Sequence, residues 1–318
     1  MYPMLNQEMI KVAVGGQAVS GVLLCSSYST QLTKNNSEYI IGTLQSGVNL
    51  PFKAWGNSKA FEVFKSTDLS GTPVYVTGKW DNYGGSISLV VETVQKNEEY
   101  TPDQFFPIKY NIDAYWEGLK KVVYSRVSEK GKTLANQVLF ENEVLSSKFK
   151  YEFAAMKHHD NCKGGLLAHT YKVVNAMIYI TTNYSRLCSD DGVVNQDMLD
   201  ILILGALFHD IGKVTEMKFG VYQPESIVTH RYLGIEFLYP FKDYIIENYS
   251  SEWWYNLVSI FLQHHGEFED DCRTLPALLV HKADMIDSEM TNLCQLLDTP
   301  YTESTGNVIK VNGKRINI

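Results

Sequence analysis

Residues 198–213, MLDILILGALFHDIGK, constrain this chain more than any other stretch. From Ile201 to Phe208 the run is apolar nearly all round, so as a helix it has no solvent face and belongs in the middle of a helical domain. It is too short to span a bilayer, and no other uninterrupted apolar run approaches that length. The run ends on His209-Asp210. A buried aspartate is costly unless it is paired or coordinates a metal. Adjacent helical residues point about 100° apart, which suits neighbouring corners around one ion lying beside the helix.

The remaining corners must come from other helices. All eight histidines fall between residues 158 and 281, so the second half of the chain is chemically distinct. In GLLAHTYKVVNAMIYITTNYS, Leu166, Val173, Met177 and Ile180 form a helical stripe, and His169 lies within that helix. Further candidates are His230 in IVTHRYLG, His264-His265 in FLQHHGEFE and Asp284 in HKADMIDS. Imidazole nitrogens and carboxylate oxygens without thiolates suit manganese, iron, zinc or magnesium. His169, His209, Asp210 and Asp284 suffice for one ion. His230 with one or both of His264 and His265 suffices for a second, with Asp210 bridging. Two ions roughly 3.5–4 Å apart clamp the attacking and leaving oxygens of a phosphoryl displacement. Lys213, one turn after His209, is placed to meet developing phosphate charge or to complement a helix C-terminus. His281 reads as a packed histidine, and Asp287 as either a support for a ligand or a solvated acid. The five cysteines are scattered, odd in number and form no CxxC, which argues against a disulfide framework and against a thiolate zinc site.

The first half has a different period. VSGVLLCSSYST, EYIIGTLQ, NLPFKAW, PVYVTGKW and SISLVVETVQ are short, rich in β-branched and aromatic residues, and separated by turn signals such as Lys34-Asn35-Asn36-Ser37, Gly71-Thr72-Pro73 and Asp81-Asn82-Tyr83-Gly84-Gly85. Between the third and fourth lies SKAFEVFKST, where Ala60, Phe61 and Phe64 follow helical spacing. Five strands with one helix between the third and fourth is the layout of an OB-fold barrel. The expected organisation is multidomain: an N-terminal all-β OB-fold over residues 1–96, a linker over 97–109, an all-α domain over 110–300 and a C-terminal hairpin tail over 301–318. Asn312-Gly313 supplies the type I′ turn signal of that hairpin.

The order H…HD…H…H…D, carried by GGLLAHT, ALFHDIGK, THRYLG, HHGEFE and HKADMIDS, resembles the HD-superfamily phosphohydrolases, all-helical enzymes that cleave phosphate esters with one or two metals. With an N-terminal OB-fold, the Lys157-His158-His159 stretch before GGLLAH and the ADxxDS ending at 283–288, the chain is similar to the YhaM-type 3′-to-5′ exoribonucleases. The resemblance covers about residues 10–290. It implies a divalent-metal enzyme, manganese first with iron, zinc or magnesium as alternatives, that shortens single-stranded RNA, and DNA as a second substrate, by metal-activated water. It implies catalytic roles for Asp210, Lys213 and His159, and contact of His158 with substrate phosphate. HHDNCKGG is about one residue longer than the family's spacing, which leaves open which of His158 and His159 matches.

The net charge of −8 gives no long-range attraction to phosphate, so any grip on nucleic acid must be local or metal-mediated. Residues 1–100 hold seven lysines, no arginine and eight acids. A near-neutral barrel favours base stacking over charge, with Trp55, Trp80 and Tyr83 expected to be exposed and Lys53 and Lys79 beside them. The alternative reading is an HD phosphohydrolase acting on a free or cyclic nucleotide, with the barrel used for assembly. The start, MYPMLNQEMI, lacks the basic and apolar regions of a signal peptide, so a cytoplasmic location without a membrane partner is expected. The strand edges of the C-terminal hairpin leave a homo-oligomer open.

Overall fold

The computed structural model describes residues 2–6, 9–10, 12–83, 86–106, 108–155, 160, 162–184, 194–219, 221–266, 271–297, 308–311 and 314–317. Its contacts divide the chain into two compact units, Met1–Pro107 and Ile108–Ile318.

The first unit is a closed five-stranded barrel in the order β1-β2-β3-β5-β4, formed by β1 (Ala18–Leu32), β2 (Glu38–Gln45), β3 (Asn49–Trp55), β4 (Thr72–Tyr83) and β5 (Ser86–Lys96). The long β1 pairs antiparallel with β4 along its first half and with β2 along its second, and a bulge between Cys25 and Ser27 bends it at the changeover. The parallel pairing of β3 with β5 closes the barrel. Helix α1 (Lys59–Ser66) lies between β3 and β4, as the apolar spacing predicts, with the Ser58 hydroxyl accepting from Phe61 N–H at its start. Its buried face, Ala60, Phe61 and Phe64, joins the barrel core, where Phe64 stacks on Phe52. The strand order and helix position are those of an OB-fold.

One expectation for the barrel needs correction. Trp80 is 4% exposed and belongs to the core, because alternation along β4 turns Val74, Val76 and Trp80 inward and Tyr75, Thr77 and Lys79 outward. The stretch expected as a linker is also packed for much of its length. Asn97 N–H donates to Pro73 O, Pro102–Phe105 form a 3₁₀ turn, and buried Phe105 packs on Val22 and Leu24.

Among the described residues, the second unit is helical apart from two short two-stranded sheets. Its helices are α2 (Ile112–Tyr124), α3 (Glu129–Ala135), α4 (Glu143–Tyr151), α5 (Gly165–Asn183), α6 (Gln196–Phe208), α7 (Lys213–Glu216), α8 (Thr229–Leu238), α9 (Lys242–Asn248), α10 (Ser251–Gln263) and α11 (Leu275–Leu297). A hairpin of β6 (Met217–Lys218) and β7 (Val221–Tyr222) follows α7. Helix α6 is the middle of this unit and packs against α3, α5, α10 and α11. Ile201, Leu202, Ile203, Leu204, Ala206, Leu207 and Phe208 are all buried in one core, as the apolar run requires. At the C-terminus β8 (Val308–Val311) pairs antiparallel with β9 (Lys314–Asn317); Asn312-Gly313 lies outside the described residues. Among the described residues, no helix is long and apolar enough to cross a membrane.

Candidate metal centre

Helix α6 hydrogen-bonds as far as His209 N–H, which donates to Gly205 O, and the chain then turns through Asp210, Ile211 and Gly212 into α7. Gly212 is required here. A Cβ at this position would lie 2.0 Å from His230 O, so only glycine lets the turn approach the backbone of α8. The approach brings the α6 terminus beside His230, while α5, α10 and α11 deliver the other groups.

One group of donors forms around Asp210 Oδ2. His169 Nε2, from α5, lies 3.2 Å from His209 Nε2, 3.4 Å from Asp210 Oδ2 and 3.3 Å from Asp284 Oδ1 on α11. His209 Nε2 lies 3.4 Å from the same Asp210 oxygen. The second group forms around the other oxygen. His230 Nε2 is 3.5 Å and His264 Nε2 3.6 Å from Asp210 Oδ1, and the half-buried His265 stacks edge-on against His264. The clusters able to hold a cation include His169–His209–Asp284 and His230–His264–His265. A third geometric cluster, Asp160–His169–Asp287, is already filled by an ammonium: Lys172 Nζ lies 2.7 Å from Asp160 Oδ2 and 2.9 Å from Asp287 Oδ1.

The far nitrogen of each central ring is anchored. His209 Nδ1 donates to Ala206 O at 2.9 Å and His264 Nδ1 to Phe261 O at 3.0 Å. His169 Nδ1 donates to Asp287 Oδ2 at 2.7 Å and His230 Nδ1 to Glu216 Oε2 at 2.9 Å. Carbonyls and carboxylates only accept, so each Nδ1 carries a proton, and the unpartnered Nε2 atoms of His230 and His264 turn lone pairs toward Asp210 Oδ1. Lone pairs facing a carboxylate repel it unless a cation or a proton lies between them. At His169 burial opposes charging, but the carboxylates of Asp210, Asp284 and Asp287 outweigh it and hold the imidazole well above its usual range. Burial disfavours the charged form of Asp210, yet Lys213 and His209 hold it well below the usual carboxylate range. Burial pushes His264 down to about 3. Among the described residues, four buried side-chain polar atoms lack a hydrogen-bond partner, and three of them are Asp210 Oδ1, His230 Nε2 and His264 Nε2. Each such atom costs about 1–3 kcal/mol. One divalent cation among them would satisfy all three, so the donor set fits a metal.

Several neighbours complete the centre. Lys213 Nζ lies 2.6 Å from Asp210 Oδ2 and is largely buried. His281 is buried and donates from Nδ1 to His264 O, as a packed histidine. Asp287 is buried on the His169 ring and is not a solvated acid. Sequence reasoning misses Glu216, which reads as an ordinary acid in KVTE. Its position seven residues after His209 is the only hint. His158 and His159 lie outside the described residues. In the barrel, Trp55 is 41% exposed at the end of β3 with Tyr39 packed beside it, and Lys53 shares its outward face. Lys79 is exposed on β4 and pairs with Glu92 at 3.5 Å. Tyr83 is in β4, but its side chain lies outside what is described.

Residues 166–289 match the HD domain family model. The match lies within the second unit. Two curated relatives are named 3′-5′ exoribonuclease YhaM. The protein of Oceanobacillus iheyensis is 23% identical over 89% of this chain and 88% of its own length. The protein of Halalkalibacterium halodurans is 21% identical over 64% of this chain and 60% of its own length. Solved structures similar to part of this chain include the mitochondrial single-stranded DNA binding protein Rim1 of S. cerevisiae, at 19% identity over 25% of this chain and 92% of that one, with a TM-score of 0.23. The SSB domain of a Synechococcus protein aligns at 11% identity over 26% of this chain and 94% of that one, with a TM-score of 0.22. The OB-fold assignment rests on the barrel's own strand order, and the HD domain on its matched residues.

Proposed function

We propose that this chain is a metal-dependent 3′-to-5′ exoribonuclease that shortens single-stranded RNA, and DNA as a second substrate. The observation that carries the reading is Asp210. Its two carboxylate oxygens face two separate donor groups, His169–His209–Asp284 and His230–His264, with His265 beside the latter. A carboxylate shared in this way is what a two-cation phosphodiesterase centre requires, and the curated YhaM relatives supply the polarity and the substrate class.

His169, His209, Asp210 and Asp284 would hold one divalent cation and His230, His264 and Asp210 a second, manganese first; bound there, they would supply Lewis acidity toward the scissile phosphate and a lowered pKa for a water. The chain's own residues do the rest. The anchored Nδ1 atoms fix ring orientation, so the donors are set before substrate arrives. Lys213, held against Asp210, brings a buried positive charge to the edge of the centre where a phosphoryl oxygen gains charge. One of His158 and His159 serves the substrate phosphate. On the barrel, Trp55 and Tyr39 offer a stacking surface with Lys53 alongside, a mode that suits a nearly neutral domain.

The test is a time course on 3′- and 5′-labelled single-stranded RNA with and without manganese, beside Asp210→Ala. Stepwise loss from the 3′ end that needs the metal and falls to background in the variant is expected. Intact RNA beside rapid cleavage of a small phosphodiester reporter would overturn the exonuclease reading in favour of a nucleotide phosphohydrolase.

A further inference from the structure

The four central imidazoles are anchored in two different ways. His209 and His264 rest on neutral backbone carbonyls, whereas His169 and His230, one in each donor group, rest on carboxylates. The two carboxylates differ in turn. Asp287 shares the Lys172 ammonium at 2.9 Å, so much of its charge is offset. Both Glu216 oxygens are spent on one residue: Oε1 accepts the His230 backbone N–H and Oε2 the His230 Nδ1–H, each at 2.9 Å.

That pairing performs two tasks. Helix α8 begins without a side-chain cap of its own, and the residue before His230, Thr229, has φ +61°, a conformation costly for a β-branched residue. Glu216 supplies the missing acceptor from outside the helix, fixing where α8 starts. It also fixes the His230 ring and makes its bare nitrogen a stronger donor. Gly212 closes the turn against His230 O from the other side. The His230 backbone is thereby held at its N–H by Glu216 and crowded at its carbonyl by the HD turn.

From this geometry we infer that Glu216 is the positioning residue of the second cation group: it sets the affinity of the His230–His264–Asp210 position and leaves the His169–His209–Asp284 position untouched. This rests on the two-group reading above, and the experiment separates the two.

Full-length protein, stripped with a chelator, is titrated with manganese(II) by calorimetry, and bound ions are counted by electron paramagnetic resonance. Wild type is expected to take two ions. In Glu216→Ala one event should lose about 10–100-fold in affinity while the other is unchanged. Glu216→Gln, whose amide oxygen replaces one of two acceptors, should fall between them. Asp287→Asn should weaken the opposite event. Two ions at wild-type affinity in both Glu216 variants, with only a lower melting temperature, would overturn the inference and leave a purely structural cap. A wild-type protein that takes a single ion would overturn the two-group reading itself, and this inference with it. Circular dichroism checks the fold, and if the alanine variant does not fold, the nearly isosteric glutamine variant carries the same test.

Discussion

Asp200 shows what a buried acid without a metal requires. It lies in the same apolar run as Asp210, is fully buried, and accepts from Ser128 N–H at 2.9 Å, the Ser128 hydroxyl, Gln196 Nε2 at 2.8 Å and Tyr249 OH at 2.6 Å. Among the described residues Asp210 has no such set of neutral donors; its Oδ1 faces the bare Nε2 atoms of His230 and His264. The contrast separates a structural acid from a chemical one. Asp200→Ala should destabilise the fold by on the order of 3 kcal/mol, because several buried donors are orphaned at once. Urea unfolding of the variant measures it, and a loss below about 0.5 kcal/mol would contradict this account. The sequence makes His209-Asp210 legible, since a histidine and an acid together at the end of an apolar helix demand a cation or a charged partner there. Asp200 is not legible in the same way: its partners lie on α6, just before α3 and just after α9, and no local pattern joins them.

At the scale of elements, the β-pattern of the first half predicts all five strands and α1, but parity decides which aromatics face solvent. Trp55 and Trp80 look alike in sequence, each at the end of a strand-like segment close to a lysine. Register places Trp55 outward, opposite Tyr39, and Trp80 inward, opposite Leu89. Trp80→Ala should therefore cost about 3–5 kcal/mol of stability. Trp55→Ala should leave stability nearly unchanged and weaken binding of an oligonucleotide by about 1–3 kcal/mol. Fluorescence anisotropy with single-stranded RNA, read beside thermal melts, distinguishes the two, and a Trp55 variant that binds normally would remove this face from the substrate path. The helical half is legible for a related reason. A run that is apolar on every side admits only a central position, and the histidine-bearing segments, which share its domain, then have to surround its end. Glu216 escapes because a tight hairpin and a 3₁₀ turn, not a helical period, carry the chain from it back to His230.

For the molecule as a whole, the two units have separate hydrophobic cores, one around Phe52 and Phe64 and one around α6. Metal held by the second unit stabilises that unit by mass action, about 2.7 kcal/mol at a hundredfold excess over the dissociation constant. For a domain of this size that is roughly 5–10 °C in melting temperature. Calorimetry with manganese and with chelator should show a shift of that order in the second unit's transition and none in the barrel's; equal shifts in both, or none, would contradict the assignment. The anchored rings carry one more consequence. Because the Nδ1 atoms of His169, His209, His230 and His264 are already committed to a carbonyl or a carboxylate, these four rings cannot swing inward for a small ion or outward for a large one. Choice among manganese, iron and zinc then falls to ionic radius and preferred coordination number, which makes the spacing of α5, α6, α8, α10 and α11 the gauge by which ions are sorted.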